Sequence, residues 1–383
     1  MHIPSLNPKT LVLSLVLSAV LGAVLAACQT VPSPEISHTK SARLLPVYAV
    51  TTRALDKPEG AIFSGERDVN AHMVRHVVSL PPNRVEGDVN FAKTEADSKR
   101  DEHFMLHATQ EPMSTDLFTQ RILKERGKRR VVLFIHGYNN TYRDALYRMS
   151  QVYDDAGLTD LPVLFSFASR GKVLDYGYDE DSASMARSAL AHIIERLMTA
   201  THGQLDIVAH SMGNWLAVEA LKEVALKHPT IKQHIGTLIL ASPDIDADVF
   251  STQWPLIAGL AHETILVCNP NDKALKASSR VGGEKPRLGN LDPCVQTAQQ
   301  RFKGLKVIDA SPFDETSVDR LRHNPAANRA LIERFALHMK KGNSLSKPSA
   351  GNAVENLEAA TGGLFDGVIG LLPRAVGQGT VPR

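Results

Sequence analysis

Short apolar runs alternate with longer amphipathic stretches along most of the chain. Runs rich in Val, Leu, Ile and aromatic residues predict strands, and apolar residues spaced three or four apart predict helices. The predicted strands are Leu44–Thr52, His72–Leu80, His103–Ala108, Val131–Ile135, Val163–Phe167, Leu205–Ala209, Gly236–Ala241, Thr264–Cys268 and Leu305–Ile308. The predicted helices are Asp116–Lys124, Tyr142–Asp155, Ser182–Thr199, one that begins near Trp215, and Ala326–Lys340. Strands that alternate with helices predict an α/β fold with a mostly parallel sheet and helices on both faces.

The start of the chain has a different pattern. Lys9 precedes Leu11–Ala27, an uncharged apolar run, and small residues end it, so residues 1–27 are predicted to be a signal peptide. Its ending, Leu25-Ala-Ala-Cys28, resembles a bacterial lipobox, which implies cleavage before the cysteine and lipidation of the Cys28 thiol. In a host with two membranes, Gln29 after it resembles a signal for sorting to the outer membrane, facing the periplasm. The alternative is an uncleaved membrane anchor.

Two further segments are expected to lie outside the folded domain. Residues 28–43, with Pro32 and Pro34, are predicted to form the lipidated cysteine and a flexible tether. Residues 341–383 are rich in Gly, Pro, Ser and Ala and are predicted to be a flexible tail. The domain itself is therefore expected over residues 44–340, with the polar stretch from Asn83 to Glu102 as a surface excursion.

Composition and charge narrow the classes of partner. The 383 residues, 43% hydrophobic and 22% charged, can bury a large core. The formal net charge is +2 with no long basic run, so no nucleic-acid partner is indicated. Export beyond the cytoplasm would permit a disulfide between Cys268 and Cys294, and the sequence leaves open whether they pair or stay free.

The candidate nucleophile lies between the strand Leu205–Ala209 and the helix that follows it. The segment Ala209-His-Ser-Met-Gly213 is close to the Gly-x-Ser-x-Gly pattern, with Ala in the first position. A strand that turns directly into a helix through small residues forces its central side chain outward, so Ser211 is predicted to be a nucleophile on a tight elbow. The alternative is that Ser211 only caps the helix.

A serine nucleophile needs a histidine base and a carboxylate that orients it, and in this fold both follow the serine in the chain. Asp272, in a Pro- and Asn-rich turn after a strand, is the preferred acid, and Asp246 is the alternative. His323 lies between the last strand and the closing helix, where the base is expected. The weaker histidine candidates are His228, His234, His262 and His338.

The loop after Val131–Ile135 supplies the other half of a predicted oxyanion hole. It reads His136-Gly-Tyr-Asn-Asn140, and its glycine lets the backbone approach a substrate closely. The peptide N–H groups of Tyr138 and Met212 are predicted to bind the negative oxygen of a tetrahedral intermediate. The alternative is an ordinary strand-to-helix turn.

Several segments together resemble the α/β-hydrolases, and more narrowly an uncharacterised bacterial family of esterase- and lipase-like proteins. The resemblance extends from about Val47 to Leu337. The segments that carry it are Tyr48–Arg53, Phe63–Arg67, Phe134–Asn140, Leu164–Gly171, Ala209–Asn214 and Ala241–Asp248. It implies an α/β-hydrolase fold, hydrolysis of an ester, and Ser211, Asp272 and His323 as the catalytic triad. Many lipases carry a lid between two late strands. Here only a short stretch, about Phe250–Ala261, separates the strands Gly236–Ala241 and Thr264–Cys268, which favours a small cap or none.

These observations lead to two functional hypotheses of different classes. The first is a membrane-anchored serine hydrolase, a carboxylesterase or lipase that forms an acyl-enzyme on a small-molecule or lipid ester. The second is a catalytically silent lipoprotein that keeps the fold as a binding or scaffolding module. No cofactor is indicated, and the sequence has no His-Glu-x-x-His segment that would point to a metal site.

Overall fold

The computed structural model describes residues 43–56, 63–82, 102–109, 112–316, 321–325 and 331–332. The predicted signal peptide and residues 28–42 of the predicted tether, which include Cys28, lie outside these residues, as do 83–101 of the predicted surface excursion and the predicted tail. Of the predicted closing helix, only Leu331 and Ile332 are fully described, and both are helical. Within the described ranges, no helix combines the length and the apolar character that a membrane span requires.

Nine strands form one sheet in the order β3-β2-β1-β5-β4-β6-β7-β8-β9. The strands are β1 (Arg43–Leu55), β2 (Phe63–Leu80), β3 (Met105–Thr109), β4 (Val131–Ile135), β5 (Leu161–Ser166), β6 (Leu205–His210), β7 (Ile235–Ala241), β8 (Ala261–Cys268) and β9 (Lys306–Asp309). From β1 to β9 all neighbours are parallel, whereas β2 runs antiparallel to both β1 and β3. This is the α/β-hydrolase fold with a mostly parallel sheet that the sequence predicts.

Seven α-helices connect these strands in the described residues. They are α1 (Thr115–Arg126), α2 (Tyr142–Asp155), α3 (Tyr176–Thr201), α4 (Met212–Lys227), α5 (Ala247–Ile257), α6 (Lys273–Val281) and α7 (Cys294–Arg301). The helices α5, α6 and α7 were not predicted, because each is short and α5 contains Pro255. The connection between β7 and β8 contains a single helix, α5. This agrees with the expectation of a small cap or none.

The helices cover both faces of the sheet because successive strand residues point to opposite sides. In β4, Leu133 belongs to a large apolar core with α1, α3, α4, α5 and α7, whereas Phe134 packs into a second core with α2. All five residues of this strand are buried, which explains why it is a wholly apolar run. The strand is therefore held firmly at the centre of the sheet.

The strand order reverses direction around β4, which has β5 on one side and β6 on the other. Ile135 at the end of β4 lies opposite Ala209 near the end of β6. The loops that leave these two strands therefore start side by side at the carboxyl edge of the sheet. Such a switch point is where open α/β sheets bind their ligands.

Several boundaries differ from those predicted, and three of these differences have a structural explanation or change an assignment. Arg43, assigned to the tether, is the first residue of β1 and pairs with Leu80 of β2. The strand β2 begins at Phe63 because its polar first half pairs with β1 in a two-stranded ribbon, where apolar alternation is not required. The helix α3 begins at Tyr176, six residues before the predicted Ser182, through a turn that has little apolar periodicity.

Two cysteines of the folded domain are joined in the structure. Cys268, the last residue of β8, and Cys294, the first residue of α7, form a disulfide with their Cα atoms 6.5 Å apart. Both residues are buried. The sequence left open whether these cysteines pair, and the structure shows that they do. The bridge lies directly before the loop that carries Asp272.

Candidate active site

Ser211 occupies a single-residue elbow between β6, which ends at His210, and α4, which begins at Met212. Its backbone has φ 54° and ψ −126°, a conformation that a residue with a Cβ adopts only at a cost of roughly 1–3 kcal/mol. Ser211 is 4% exposed. A strained backbone at a sharp strand-to-helix turn is what a nucleophile elbow requires.

Hydrogen bonds around the elbow hold this backbone in place. Asn214, fully buried, donates its peptide N–H to the carbonyl oxygen of Ser211 at 3.0 Å and its side-chain amide to the carbonyl oxygen of Ala241 at 2.8 Å. The N–H of Ser211 donates to the same carbonyl of Ala241 at 3.0 Å. Ser211 stands at the N-cap position of α4, yet its side chain makes no capping hydrogen bond. The simple capping interpretation is therefore not observed.

Two glycines allow the strand, the helix and the neighbouring loop to approach one another. A Cβ added to Gly213 would lie 2.8 Å from the carbonyl oxygen of Ile135 and would overlap that of His136. A Cβ added to Gly137 would lie 2.8 Å from the Cβ of Ser211. The loop after β4 thus passes directly over the proposed nucleophile, and glycine is required at both positions for steric reasons.

Asp272 and His323 are in direct contact. The Nδ1 atom of His323 lies 2.7 Å from Oδ2 of Asp272, whose side chain is fully buried. The other carboxylate oxygen accepts the N–H of Leu275 at 2.9 Å and so caps α6. Because the carboxylate faces Nδ1, a neutral His323 carries its proton on that atom, and Nε2 is left with a lone pair that can accept a proton.

The loop that carries Asp272 also holds the loop that carries His323. The peptide N–H of Lys273 donates to the carbonyl oxygen of Leu321 at 3.0 Å. Asp314 accepts a hydrogen bond from the Asn269 side chain at 2.6 Å and pairs with Arg322 at 3.2 Å. These contacts hold the two residues that precede His323, so the position of the imidazole does not depend on the bond to Asp272 alone.

The loop that carries His323 lies against the elbow that carries Ser211. The rings of His323 and His210 have centroids 4.9 Å apart, and Nε2 of His210 is 3.2 Å from the carbonyl oxygen of His323. His210 directly precedes Ser211 in the chain. The structure therefore brings the proposed serine, histidine and aspartate to one place at the carboxyl edge of the sheet.

The alternative acid has a different environment. Oδ1 of Asp246 accepts the N–H groups of Asp248 at 2.8 Å and Val249 at 3.1 Å, so this side chain caps α5. Among the weaker histidine candidates, His228 contacts Glu195 at 2.7 Å, His234 contacts its neighbour Lys232, His262 is exposed, and His338 lies outside the described residues. None of the described ones contacts Asp272 in the part of the chain that the structure covers.

The loop His136–Asn140 presents a row of peptide N–H groups above the elbow. The N–H of Asn139 donates to Asp179 at 2.9 Å and that of Asn140 to the Ser169 hydroxyl at 3.0 Å. Among the described residues, no acceptor is found for the N–H of Tyr138. Met212 is the first residue of α4, where a peptide N–H has no partner within the helix. In the part of the chain that the structure describes, both predicted oxyanion donors therefore keep an N–H group available for a substrate oxygen.

A buried arginine supports this loop from below. Arg53 is fully buried on β1 and donates to the Ser166 hydroxyl at 2.8 Å and to the carbonyl oxygens of Ser169 at 2.7 Å and Asn140 at 2.8 Å. Burial lowers the pKa of its guanidinium to about 10, and the carboxylate of Asp179 opposes that shift, so Arg53 stays charged at neutral pH. One side chain therefore ties together the loops after β4 and β5.

His136, the first residue of the loop, is a neutral part of the same network. Burial, followed by the nearby charge of Arg53, lowers the pKa of His136 to about 3. Its Nδ1 is 2.7 Å from the carbonyl oxygen of Gly137, and its Nε2 is 2.9 Å from the Ser166 hydroxyl. Nδ1 therefore donates and Nε2 accepts, which fixes the ring without placing a second positive charge beside Arg53.

Sequence reasoning did not assign a role to the residues that support the loop His136–Asn140, which we call the oxyanion loop after its predicted function. These residues are Arg53, Ser166, Ser169 and Asp179. The first three lie in segments that carry the family resemblance, Tyr48–Arg53 and Leu164–Gly171, which was the available signal. Their bonding partners are distant in the chain, so no local spacing could reveal the network.

Comparisons with known proteins agree with this architecture. A family model described as an alpha/beta hydrolase of unknown function (DUF900) matches residues 111–340. An uncharacterized protein from Nostoc sp., alr1448, is 25% identical over 222 residues, covering 43% of this chain and 58% of that protein. The chain thus spans less than two thirds of the length of this relative.

Solved structures with a similar chain path include two hydrolases. An esterase from Pyrobaculum calidifontis has 12% identity and a TM-score of 0.33, and the match covers 70% of this chain and 81% of that one. A dienelactone hydrolase from Anabaena variabilis has 12% identity and a TM-score of 0.35, with 78% of this chain and 96% of that chain covered.

Proposed function

Because the chain belongs to the family of alpha/beta hydrolases of unknown function (DUF900), we propose that it is a serine hydrolase that cleaves carboxylic esters. The observation that carries the proposal is the 2.7 Å contact between His323 and the buried carboxylate of Asp272 beside the strained elbow of Ser211. A serine, a histidine and an aspartate with these relations form a nucleophile, a base and its orienting group.

In the first half of the reaction, the Ser211 hydroxyl attacks the ester carbonyl carbon. Nε2 of His323 takes the hydroxyl proton, and Asp272 stabilises the resulting imidazolium through its bond to Nδ1. The carbonyl oxygen becomes an oxyanion and binds the N–H groups of Tyr138 and Met212. Collapse of the intermediate breaks the ester C–O bond, and His323 gives its proton to the departing alcohol.

In the second half, water replaces the alcohol. His323 takes a proton from the water as the remaining hydroxide attacks the acyl carbon bound to Ser211. The same oxyanion hole stabilises the second tetrahedral intermediate. The carboxylic acid leaves, and the proton on His323 returns to the serine oxygen.

Replacing the nucleophile tests this mechanism directly. Ser211→Ala is expected to abolish hydrolysis of p-nitrophenyl acetate and covalent labelling by a fluorophosphonate probe, both of which need the serine oxygen. Ser188→Ala, which removes a hydroxyl that bonds to Glu223 on an exposed face of α3, is the matched control and should retain both. Unchanged labelling of Ser211→Ala would reject this serine, and a folded wild-type protein that reacts with no serine probe would favour the binding-module hypothesis.

We further propose that the enzyme is held at the outer membrane by acyl chains on Cys28 and faces the periplasm. Support comes from the sequence, where the apolar run Leu11–Ala27 ends in Leu-Ala-Ala before this cysteine and Gln29 follows. Several acyl chains on one residue give firm anchoring, whereas a single chain binds a membrane only marginally.

The anchor can be tested in a two-membrane bacterial host grown with radioactive palmitate. The wild-type protein should incorporate the label and sediment with the outer membrane, and Cys28→Ser should do neither. Wild-type protein that sediments with membranes but takes up no label would indicate the uncleaved anchor instead. Activity measured on both proteins in detergent would separate the effect on location from an effect on the active site.

A further inference from the structure

A cleft of about 300 Å³ opens beside the proposed nucleophile, at the lower end of the range for small-molecule pockets. Met212, which follows Ser211, lies in its wall. The peptide N–H of Asp244, another wall residue, is 3.3 Å from the carbonyl oxygen of Ser211. A group bound in this cleft would therefore be next to Met212, whose N–H is a proposed oxyanion donor. The acyl part of an ester is bonded to the carbon that carries this oxygen, so it would lie at this place.

One side of the cleft is polar. The carboxylate of Asp244, which is 9% exposed, accepts the hydroxyl of Tyr176 at 3.0 Å and that of Ser278 at 2.6 Å. Its Oδ1 atom also lies 3.3 Å from Nε of Arg287. We call Tyr176, Asp244 and Arg287 the polar wall, because all three line the cleft. It offers both hydrogen-bond donors and acceptors to a bound group.

The position of Arg287 depends on Gly282. A Cβ added to Gly282, which also lines the cleft, would lie 3.0 Å from Cζ of Arg287 and would overlap the guanidinium. The guanidinium also donates to the carbonyl oxygen of Ser278 at 3.1 Å. The chain therefore makes room for a charged group at this place and fixes it there by packing and hydrogen bonding.

The cleft also has apolar lining residues. Trp215 and Ile245 are among them, and Val249 and Val281 lie nearer to solvent, with 44% and 81% of their surface exposed. A fatty acyl chain that filled this cleft would contact these apolar residues but would also cover the polar wall. Polar groups that lose water without gaining a new partner are destabilising, so a long hydrocarbon chain fits this cleft poorly.

We infer that this cleft binds the acyl part of the substrate and selects esters of short acids that carry a hydrogen-bonding substituent, such as hydroxy acids. The inference rests on the proposed function of Ser211. A hydroxyl near the acyl carbon can donate to Asp244 and accept from Arg287, while the carbon skeleton contacts Trp215. Fatty acids lack any group that replaces the water lost from the polar wall.

Two comparisons of kcat/KM on the full chain test this assignment. The first uses p-nitrophenyl butyrate, octanoate and dodecanoate, each with and without detergent micelles, and kcat/KM should fall about tenfold or more from butyrate to dodecanoate. The second uses p-nitrophenyl 3-hydroxybutyrate and 3-methylbutyrate, which differ by a hydroxyl in place of a methyl group. The hydroxy ester should be preferred about three- to tenfold.

Variants connect that preference to the polar wall. Tyr176→Phe removes a hydroxyl that holds Asp244, and Arg287→Met removes the guanidinium; each should reduce the hydroxy-to-methyl ratio by about threefold or more. The matched controls are Tyr178→Phe, whose hydroxyl binds the carbonyl of Gly65, and Arg280→Met on the exposed surface of α6. Both controls should keep the wild-type ratio. Comparing this ratio between a variant and the wild type cancels the difference in intrinsic reactivity of the two esters.

The possible failures are distinguishable. Hydrolysis of dodecanoate as fast as butyrate, or a ratio that stays at the wild-type value in folded Tyr176→Phe and Arg287→Met, would overturn the assignment of the cleft while leaving Ser211 as the nucleophile. Absence of both ester turnover and fluorophosphonate labelling in the wild type would instead overturn the proposed function, and the inference with it.

Discussion

The imidazole of His323 and the carboxylate of Asp272 lie 2.7 Å apart although 51 positions separate them in the chain. An amide at position 272 keeps the size of the side chain but loses the negative charge that stabilises an imidazolium. Asp272→Asn is therefore expected to lower kcat/KM on p-nitrophenyl butyrate by about a thousandfold or more. Steady-state kinetics at neutral pH measure the effect.

The matched control for this variant is Asp309→Asn. Asp309 ends the neighbouring strand β9, and its side chain accepts the N–H of Ser311 at 2.8 Å, a bond that asparagine can also make. Its kcat/KM should stay near the wild-type value. Equal losses in both variants would mean that Asp272 acts through general stability of this edge and not through His323.

Arg53 is expected to act as a positioning residue for the oxyanion loop. A lysine in its place keeps the charge, but one ammonium group cannot reach Ser166, Ser169 and Asn140 together. A small displacement of the oxyanion donors would weaken binding of the transition state more than binding of the substrate. Arg53→Lys should thus lower kcat by up to about a hundredfold with KM little changed.

Arg75→Lys provides the comparison. Arg75 donates to both carboxylate oxygens of Glu125, at 2.9 and 2.7 Å, in a partly exposed pair distant from the elbow. The same substitution there should leave kcat unchanged. If Arg53→Lys raised KM in proportion to the loss in kcat/KM, or lost activity only by unfolding, the positioning role would be rejected.

Two buried histidines should make stability depend on pH. Burial lowers the pKa of His76 to about 4 and that of His136 to about 3, whereas both titrate near 6.5 when unfolded. Between these values the unfolded chain binds more protons than the folded one. The free energy of unfolding should therefore fall by about 1.4 kcal/mol per pH unit for each histidine as the pH is lowered from about 6 to 5.

Urea unfolding at pH 7, 6 and 5 measures this dependence. One variant, His76→Gln, shows how much of it comes from a single histidine. His76 bonds to the Tyr142 hydroxyl at 2.7 Å, on the second core and away from the elbow. His76→Gln cannot titrate, so its stability should decline less steeply than that of the wild type by about 1.4 kcal/mol per pH unit. Parallel slopes for the two proteins would contradict the assignment of His76 as a buried neutral group.

The disulfide between Cys268 and Cys294 should stabilise the folded protein by restricting the unfolded chain. For a separation of 26 residues, the loop-entropy relation gives about 3.5 kcal/mol. Reduction with dithiothreitol, or the double variant Cys268→Ser and Cys294→Ser, should lower the free energy of unfolding by about this amount. Adding dithiothreitol to the double variant should change nothing further, and a wild-type urea midpoint indifferent to the reductant would contradict the prediction.

The central part of the fold could be predicted because its signals are local. The strand Val131–Ile135 is wholly apolar and wholly buried, so composition alone identifies it. Ser211 could be selected because a strand, small residues and a helix follow one another within a few positions. The helices α5 and α6 were missed because each is short, although Asp246 and Asp272 cap them.

Other parts of the site depend on which strand lies beside which. Asp246 and Asp272 both follow a strand and both cap a helix, so their local sequences are nearly equivalent. The structure separates them because Asp272 follows β8, whose neighbour β9 leads toward His323. The support given by Arg53 was equally hidden, since it depends on the parallel pairing of β1 with β5.

The place of Arg53 in the fold also limits how the protein can be divided. The family model matches from residue 111 onward, yet the arginine beneath the oxyanion loop enters from β1, well before that point. A chimera or a shortened gene that starts at residue 111 would leave the edge of β5 uncovered and the loop without its support. The smallest unit that can be transplanted therefore includes the hairpin of β1 and β2, because without it the loop after β4 loses the side chain that fixes it.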